Sequence, residues 1–323
     1  MELIPTKRLR LYSGRSCPEL SAEIAAELGV EIGQSNLREF SNGEIHCRFE
    51  ESVRGTDVFI IQTHCGPVNA SIMEQLIMID AAKRASAKRI TAVCPYFGYS
   101  RQDRKASGRE PITAKLVADL LTAAGVDRLV SVDLHSGQIQ GFFNGPVDHL
   151  TAMPVLVDYL SSHDPSNLVV VAPDAGRVKV AERFSQHLGS DLALVHKRRP
   201  PGASDQVEAL DVVGPIKGRR CVLIDDMIDT AGTIVAGAEL LMERGATDVW
   251  AMATHGVLSD PAIDRLKNSV IERVVITNTL PLAEDRRIDK IEVLSVASIV
   301  ARVIDAVFED TSVSEIFGGE NQS

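Results

Sequence analysis

The run Val222-Leu-Ile-Asp-Asp-Met-Ile-Asp-Thr-Ala-Gly-Thr233 constrains this chain more than any other segment. An apolar stretch over 221–224 that stops at two adjacent carboxylates reads as a buried strand reaching the edge of its sheet. The small, hydroxylated and glycine residues that follow read as a loop, and the apolar periodicity over 233–244 as a helix. Strand, small-residue loop and helix in that order gather backbone N–H groups, hydroxyls and a helix amino end where a phosphate can sit. Asp225 and Asp226 would lie at the rim, within reach of sugar hydroxyls or a divalent cation. The plainer reading is an acidic turn that caps the helix through Thr230 or Thr233.

Short apolar strands alternate with amphipathic helices through most of the sequence. Strands are expected at 58–63, 90–95, 129–133, 168–172, 192–196, 221–224, 249–254 and 291–294, and helices at 72–85, 112–124, 178–188 and 233–244. This rhythm predicts an α/β fold with predominantly parallel sheets and helices on both faces. Aromatic residues are only 4% of the chain, so its cores must be built from Val, Ile, Leu and Ala, as covered parallel sheets are. The Gly- and Pro-containing segment 142–153 marks a crossing point, after which the pattern restarts. Two related domains, 1–150 and 151–323, are therefore expected, with a last helix near 296–308 packing back on the first. Ligands of such folds collect at the carboxyl ends of strands.

The formal charge of −10 argues against a general nucleic-acid surface, although a local basic loop can still receive an anionic substrate. Cysteines at 17, 47, 65, 94 and 221 form no close pair, which argues against a disulfide scaffold or a cysteine-ligated zinc site. The amino end lacks the apolar core of a signal peptide, and no stretch has the length and apolarity of a membrane span. A cytoplasmic protein in a reducing compartment, without membrane or nucleic-acid partners, is the expectation.

Several other segments carry chemistry. Residues 99–111 place Arg101, Arg104, Lys105 and Arg109 around Asp103 and Glu110, with a Ser-Gly hinge at 107–108. Such a loop could close over polyphosphate and exclude water, arginine offering planar donors to phosphate oxygens; otherwise it is a solvated charged loop. Asp133 and His135 follow a strand and alternate. His135 is a candidate cation ligand or a core histidine. Asp174-Ala-Gly-Arg177 ends another strand in a carboxylate and a small-residue turn. Asp174 is the best partner for His135 around Mg²⁺, which keeps several waters and needs few protein ligands; its duller role is a helix cap. Lys197 and Arg199 alternate in a basic cluster and could both face a transferring phosphoryl group, or belong to surface charge. Phe40-Ser-Asn-Gly-Glu44 reads as a β-turn, and Phe40 could stack on a base while Asn42 and Glu44 hydrogen-bond to it.

Taken together, these segments resemble class I ribose-phosphate diphosphokinases (phosphoribosyl diphosphate synthetases) over almost the whole chain. The markers are residues 40–44, 99–105, 109–113, 133–138, 197–200 and 225–233. The 225–233 segment alone would not separate them from ordinary phosphoribosyltransferases. The resemblance implies two tandem phosphoribosyltransferase-like domains and transfer of diphosphate from ATP to ribose 5-phosphate, giving 5-phospho-α-D-ribose 1-diphosphate and AMP. An ordinary phosphoribosyltransferase and a non-catalytic regulatory homologue are the rival readings.

On that resemblance, Asp225, Asp226, Asp229, Thr230, Ala231, Gly232 and Thr233 hold ribose 5-phosphate, and Asp174, Ala175, Gly176 and Arg177 form the diphosphate turn. Arg101, Gln102, Asp103 and His135 serve ATP, with Phe40, Asn42 and Glu44 contributed by an adjacent subunit. His135 and Asp174 hold Mg²⁺, the cofactor. Arg104, Lys105 and Arg109 belong to the lid, and Lys197 and Arg199 stabilise the transition state. A homo-hexamer regulated by ADP and inorganic phosphate is implied, with Ser52, Arg54, Ser312 and Ser314 resembling parts of an allosteric phosphate site. One departure stands out: Arg177 takes a place where many relatives carry glycine. If that turn required positive φ, arginine would be strained there, and its guanidinium offers a further phosphate contact instead.

Overall fold

The computed structural model describes residues 8–198 and 209–317. Two compact units are present. The first holds the described residues up to Thr151, with Thr279–Pro281 and the chain from Val296 onward. The second holds Ala152–Asn278 and Leu282–Ser295.

The first unit runs β1 (Leu9–Ser13), α1 (Pro18–Leu28), β2 (Ser35–Glu39), β3 (Ile45–Phe49), β4 (Asp57–Ile61), α2 (Val68–Arg84), β5 (Arg89–Cys94), α3 (Thr113–Ala124), β6 (Arg128–Val132) and β7 (Val147–Leu150). Five strands form a wholly parallel sheet in the order β1-β4-β5-β6-β7. Interior strand β4 is buried along its whole length, as expected of a parallel strand covered on both faces. Helix α2 packs on α3, β4 and β5. Strands β2 and β3 stand apart as an antiparallel hairpin.

The second unit runs α4 (Met153–Ser161), β8 (Leu168–Ala172), α5 (Val178–Leu188), β9 (Asp191–Arg198), β10 (Ala209–Val213), β11 (Arg220–Ile228), α6 (Gly232–Glu243), β12 (Asp248–Gly256), α7 (Ala262–Asn268), β13 (Arg273–Thr277) and β14 (Ile291–Leu294). Its sheet has seven strands in the order β10-β9-β8-β11-β12-β13-β14. Only the β9–β10 pair is antiparallel. Helix α8 (Ala297–Glu309) then belongs to the first unit, where its apolar face lies against α1.

The α/β class with mostly parallel sheets is as the sequence rhythm predicts. One boundary differs with consequence. The strand expected to stop at 224 continues to Ile228. Its pairing with β8 ends at Leu223↔Val171, but its pairing with β12 continues to Ile228↔Gly256. Asp225 and Asp226 are therefore part of the strand, on a stretch that has a neighbour on one side only. No described helix is long and apolar enough to cross a membrane.

A buried histidine fixes the base of the basic loop in the first unit. His64 is fully buried just past β4 and packs against Phe97. Its Nδ1 accepts the Gly98 N–H at 2.9 Å, so Nε2 carries the hydrogen and donates to Gln75 Oε1 at 2.9 Å. A methyl group on Gly98 would come within 2.8 Å of His64 Cβ. Burial pulls the imidazole from 6.5 down to about 4, only partly opposed by the Gln75 hydrogen bond. The folded chain thus resists a proton that the unfolded chain accepts. Stability from this group is complete above pH 6.5 and is lost as pH falls through about 4. The loss amounts to about 3 kcal/mol by pH 4. In urea unfolding, His64→Asn keeps an acceptor for Gly98 but cannot titrate. It should be the less stable protein at pH 7, with its deficit shrinking by about that amount at pH 4. A constant deficit would show that His64 is not held neutral.

Candidate active site

In the second unit, α6 begins at Gly232 with Ala231 as N-cap at φ 59°, and among the described residues no side-chain hydrogen bond is seen to cap its amino end. The capping role open to Thr230 or Thr233 is therefore not taken. The first-turn N–H groups and the dipole of a helix of 12 residues face the 229–233 loop, an arrangement that favours an anion. From α7, Arg265 Nη1 donates to Thr230 O at 2.9 Å. Arg265 also stands 3.2 Å from where a Cβ on Gly232 would be. The sequence reading missed Arg265, and nothing in its local pattern sets it apart from an ordinary helix-surface arginine.

Asp174 closes the turn after β8. Its Oδ1 accepts the N–H groups of Gly176 at 2.7 Å and Arg177 at 3.2 Å, capping the short helical turn Ala175–Arg177. Arg177 sits at φ −101°, so the turn does not require positive φ and the strain that would have followed from it does not arise. Its guanidinium instead bridges the carboxylate pair. Nε lies 2.9 Å from Asp225 Oδ1, and a second nitrogen is hydrogen-bonded to Asp226 Oδ1. The side chains of Arg177, Asp225 and Asp226 are 15%, 22% and 8% exposed. Burial and the adjoining Asp226 carboxylate hold Asp225 well above the usual carboxylate range, and Arg177 opposes that rise. The ribose-loop candidates and the diphosphate-turn candidates thus meet in one unit through one arginine.

In the first unit, the basic loop and the 133–141 segment meet. Gln138 Nε2 donates to Asp103 Oδ2 at 2.7 Å and to Asp103 O at 3.3 Å. Gln102 accepts from Thr113 Oγ1, and its carbonyl receives the Ala114 N–H at 3.2 Å, fixing the loop to the start of α3. Glu110 Oε2 accepts the N–H groups of Ala106 and Ser107, folding the loop on itself. Arg101, Arg104, Lys105 and Arg109 are exposed. His135 is half-buried in the turn after β6. That turn is fixed by His149 Nε2, which accepts the Leu134 N–H at 2.8 Å, and by Leu150 O, which accepts the Asp133 N–H at 2.8 Å. His149 is a second residue missed in sequence, because only the pairing of β7 beside β6 brings it to the turn.

Phe40, Asn42 and Glu44 occupy the tip of the β2–β3 hairpin. Phe40 is 45% exposed, with Arg38 stacked 5.3 Å from its ring centroid. Asn42 Oδ1 accepts the Glu44 N–H at 3.2 Å, and Gly43 takes φ 88° to close the turn. Lys197 lies on β9 opposite Leu210 of β10. Arg199 lies outside the described residues. Ser52 and Arg54 line a cavity of about 470 Å³ with Arg48, Glu51 and Arg84. Ser312 and Ser314 are neighbours, their hydroxyls 3.3 Å apart.

Among the described residues no three His, Cys, Asp or Glu side chains cluster as a metal cage. The donors present suit an ion that takes one or two protein ligands and fills its shell with water and phosphate oxygens, which is how Mg²⁺ binds nucleotides.

The Ala231 geometry yields a direct check. A β-branched side chain at φ 59° on a residue 5% exposed is both strained and crowded. Ala231→Val should cost about 2 kcal/mol in urea unfolding, whereas Ala231→Gly should stay within about 1 kcal/mol of the parent.

Comparison with known proteins bears on the same segments. A family model described as the N-terminal domain of ribose phosphate pyrophosphokinase matches residues 9–125. A phosphoribosyl synthetase-associated domain model matches residues 197–318. The chain is 56% identical over 312 residues to a ribose-phosphate pyrophosphokinase of Streptomyces coelicolor, covering 96% of each chain. It is 54% identical to that of Mycobacterium tuberculosis, covering 97% of each. A crystal structure of phosphoribosylpyrophosphate synthetase from Mycobacterium smegmatis superposes with a TM-score of 0.89 at 54% identity, over 94% of this chain and 100% of that one. With likeness of this extent in both sequence and fold, the chain belongs to the ribose-phosphate pyrophosphokinase family.

Proposed function

We propose that this chain transfers the β,γ-diphosphoryl group of ATP to the 1-hydroxyl of ribose 5-phosphate, forming 5-phospho-α-D-ribose 1-diphosphate and AMP. The observation that carries this reading is the uncapped amino end of α6 beside the Asp225–Asp226 pair. An anion seat at the start of α6 and two hydroxyl acceptors near the end of the strand before it match the two ends of a sugar phosphate. The 5-phosphate takes the N–H groups of 231–234 and the hydroxyls of Thr230 and Thr233. Asp225, Asp226 and Asp229 orient the ribose hydroxyls.

In the chemical step, the anomeric oxygen attacks the β-phosphorus. A new O–P bond forms there, and the bond from that phosphorus to the bridging oxygen of AMP breaks on the opposite side. The anomeric hydroxyl gives up its proton to a phosphate oxygen and from there to solvent, and AMP departs with the bridging oxygen. Negative charge grows on the transferred oxygens and on AMP. Lys197 and Arg199 are the cations assigned to oppose it. Bound Mg²⁺ would neutralise polyphosphate charge, with His135 and Asp174 as its protein donors. Arg101, Gln102 and Asp103 serve the nucleotide, Arg104, Lys105 and Arg109 close over it, and Ala175 and Gly176 border the diphosphate. Alignment of the two substrates in a dry site supplies a large part of the acceleration.

The exposed hairpin tip carrying Phe40, Asn42 and Glu44 suits a base-binding contribution to a neighbouring subunit, in keeping with a cytoplasmic homo-hexamer. The arginine-lined cavity at Ser52 and Arg54 suits inorganic phosphate or the phosphates of ADP, so we assign regulation to it, with Ser312 and Ser314 as further candidates.

Purified protein given ATP, ribose 5-phosphate and Mg²⁺ should release AMP and phosphoribosyl diphosphate in equal amounts. ADP as product, or no sugar-dependent AMP, would overturn the reading. Lys197→Ala and Arg199→Ala should each lower kcat by about 10²–10³-fold, as loss of one transition-state donor does, with the KM for ATP little changed.

A further inference from the structure

We infer that Arg177 is a positioning residue for ribose 5-phosphate: it supplies from within the chain the positive charge that Asp225 and Asp226 would otherwise take from a divalent cation. The inference rests on the diphosphokinase reading for the identity of the sugar, but its electrostatic half stands on the fold alone.

Two carboxylates at consecutive positions, one of them buried, have three ways to balance their charge: a proton, a metal ion or a basic side chain. Here the basic side chain is present. Arg177 reaches Asp225 Oδ1 at 2.9 Å and also binds Asp226 Oδ1, a two-point clamp in the fixed fork geometry that a planar guanidinium has and an ammonium lacks. The clamp is itself held at its root. The Arg177 N–H donates to Asp174, and the next residue, Val178, begins α5. One residue therefore joins the Asp174 turn through its backbone and the Asp225–Asp226 pair through its side chain.

Two consequences follow. The carboxylates are oriented before the sugar arrives, and the clamp engages Oδ1 of each, which leaves the Oδ2 atoms to meet hydroxyls. The guanidinium also faces the ribose end of the site, away from the purely diphosphate role that its turn suggests. A diphosphate approaching that turn meets an arginine whose charge is already shared with the pair. Arg177 thereby distinguishes this chain from a site with glycine at the same place, where the pair would look to solvent cations for compensation.

The test compares the parent with Arg177→Ala and Arg177→Lys in two measurements. The first is thermal unfolding without substrates, with and without millimolar Mg²⁺. Arg177→Ala should melt about 4 °C lower than the parent without Mg²⁺ and recover most of that deficit with it, while the parent responds less. The second is steady-state turnover. Arg177→Ala should raise the KM for ribose 5-phosphate about tenfold, equivalent to loss of one charge-assisted contact, and raise the free Mg²⁺ needed at saturating MgATP. The KM for ATP should stay within about twofold. Arg177→Lys, which keeps charge but loses the fork, should fall between the two and covers the case in which the alanine variant fails to fold. Melting loss that Mg²⁺ does not restore, with an unchanged KM for the sugar, would make the bridge merely structural and overturn the inference. No effect in either measurement overturns it as well. If the parent itself makes no AMP, the diphosphokinase reading fails, and the Mg²⁺-dependent melting difference still decides the electrostatic claim.

Discussion

A parallel sheet sends the carboxyl ends of its strands to one edge, and in the second unit those ends are staggered. Strand β8 stops at Ala172, while β11 continues to Ile228 with only β12 beside it. The stagger leaves one flank of β11 open where Asp225 and Asp226 stand. The turn that leaves β8 fills that flank with the side chain of Arg177. Without the stagger, two adjacent carboxylates would sit between two hydrogen-bonded neighbours, and neither a sugar nor a guanidinium could reach both. The candidate site thus depends on a difference of strand length, held in place by the apolar residues of β8, β11 and β12 beneath.

The first unit solves a different problem. Its loop must carry several exposed cations yet keep one conformation at its base. Burial fixes the root, where His64 holds Gly98 and Thr63 Oγ1 accepts the Tyr96 N–H, and exposed Glu110 folds the loop on itself by accepting two N–H groups. The tip is left to solvent. A loop that is rigid at the root and charged at the tip is suited to closing over an anion without unravelling.

Much of this was legible in sequence because the informative residues follow buried strands. The runs ending at Asp133, Asp174 and Asp225 announce themselves by an apolar stretch that stops at a carboxylate, and the parallel class follows from the alternation of such runs with helices. What escaped had no such mark. The β2–β3 hairpin begins with Ser-Asn-Leu-Arg-Glu, a polar edge strand outside both main sheets, and α7 is only seven residues long. The true end of β11 is set by pairing with β12, which no local pattern in 221–228 reveals. His149 and Arg265 act through neighbours distant in sequence, at 134 and 230. The conformation of Arg177 stayed open in sequence for a related reason: its φ is set by the helical turn that Asp174 caps, and that turn does not need a left-handed residue.

Half of the left-handed non-glycine residues fall where the candidate chemistry falls. Of the eight non-glycine residues at positive φ among those described, Tyr99, Arg109, Asp133 and Ala231 lie in the basic loop, the 133–135 turn and the α6 loop. Each such residue costs on the order of 1–3 kcal/mol and persists only where its surroundings over-determine it. Those surroundings are visible. Tyr99 is held by its hydroxyl on Asn69 and by the Gln102 N–H on its carbonyl. Asp133 is pinned by Leu150 O and, through Leu134, by His149. Ala231 is flanked by Arg265 on Thr230 O and by the Val235 N–H on its own carbonyl. Arg109 precedes Glu110, whose carboxylate binds back along the loop. In each case the hydrogen bonds run to neighbouring elements or to the loop itself. The strained conformation is therefore in place before a substrate arrives, so that binding need not supply the cost of forming it.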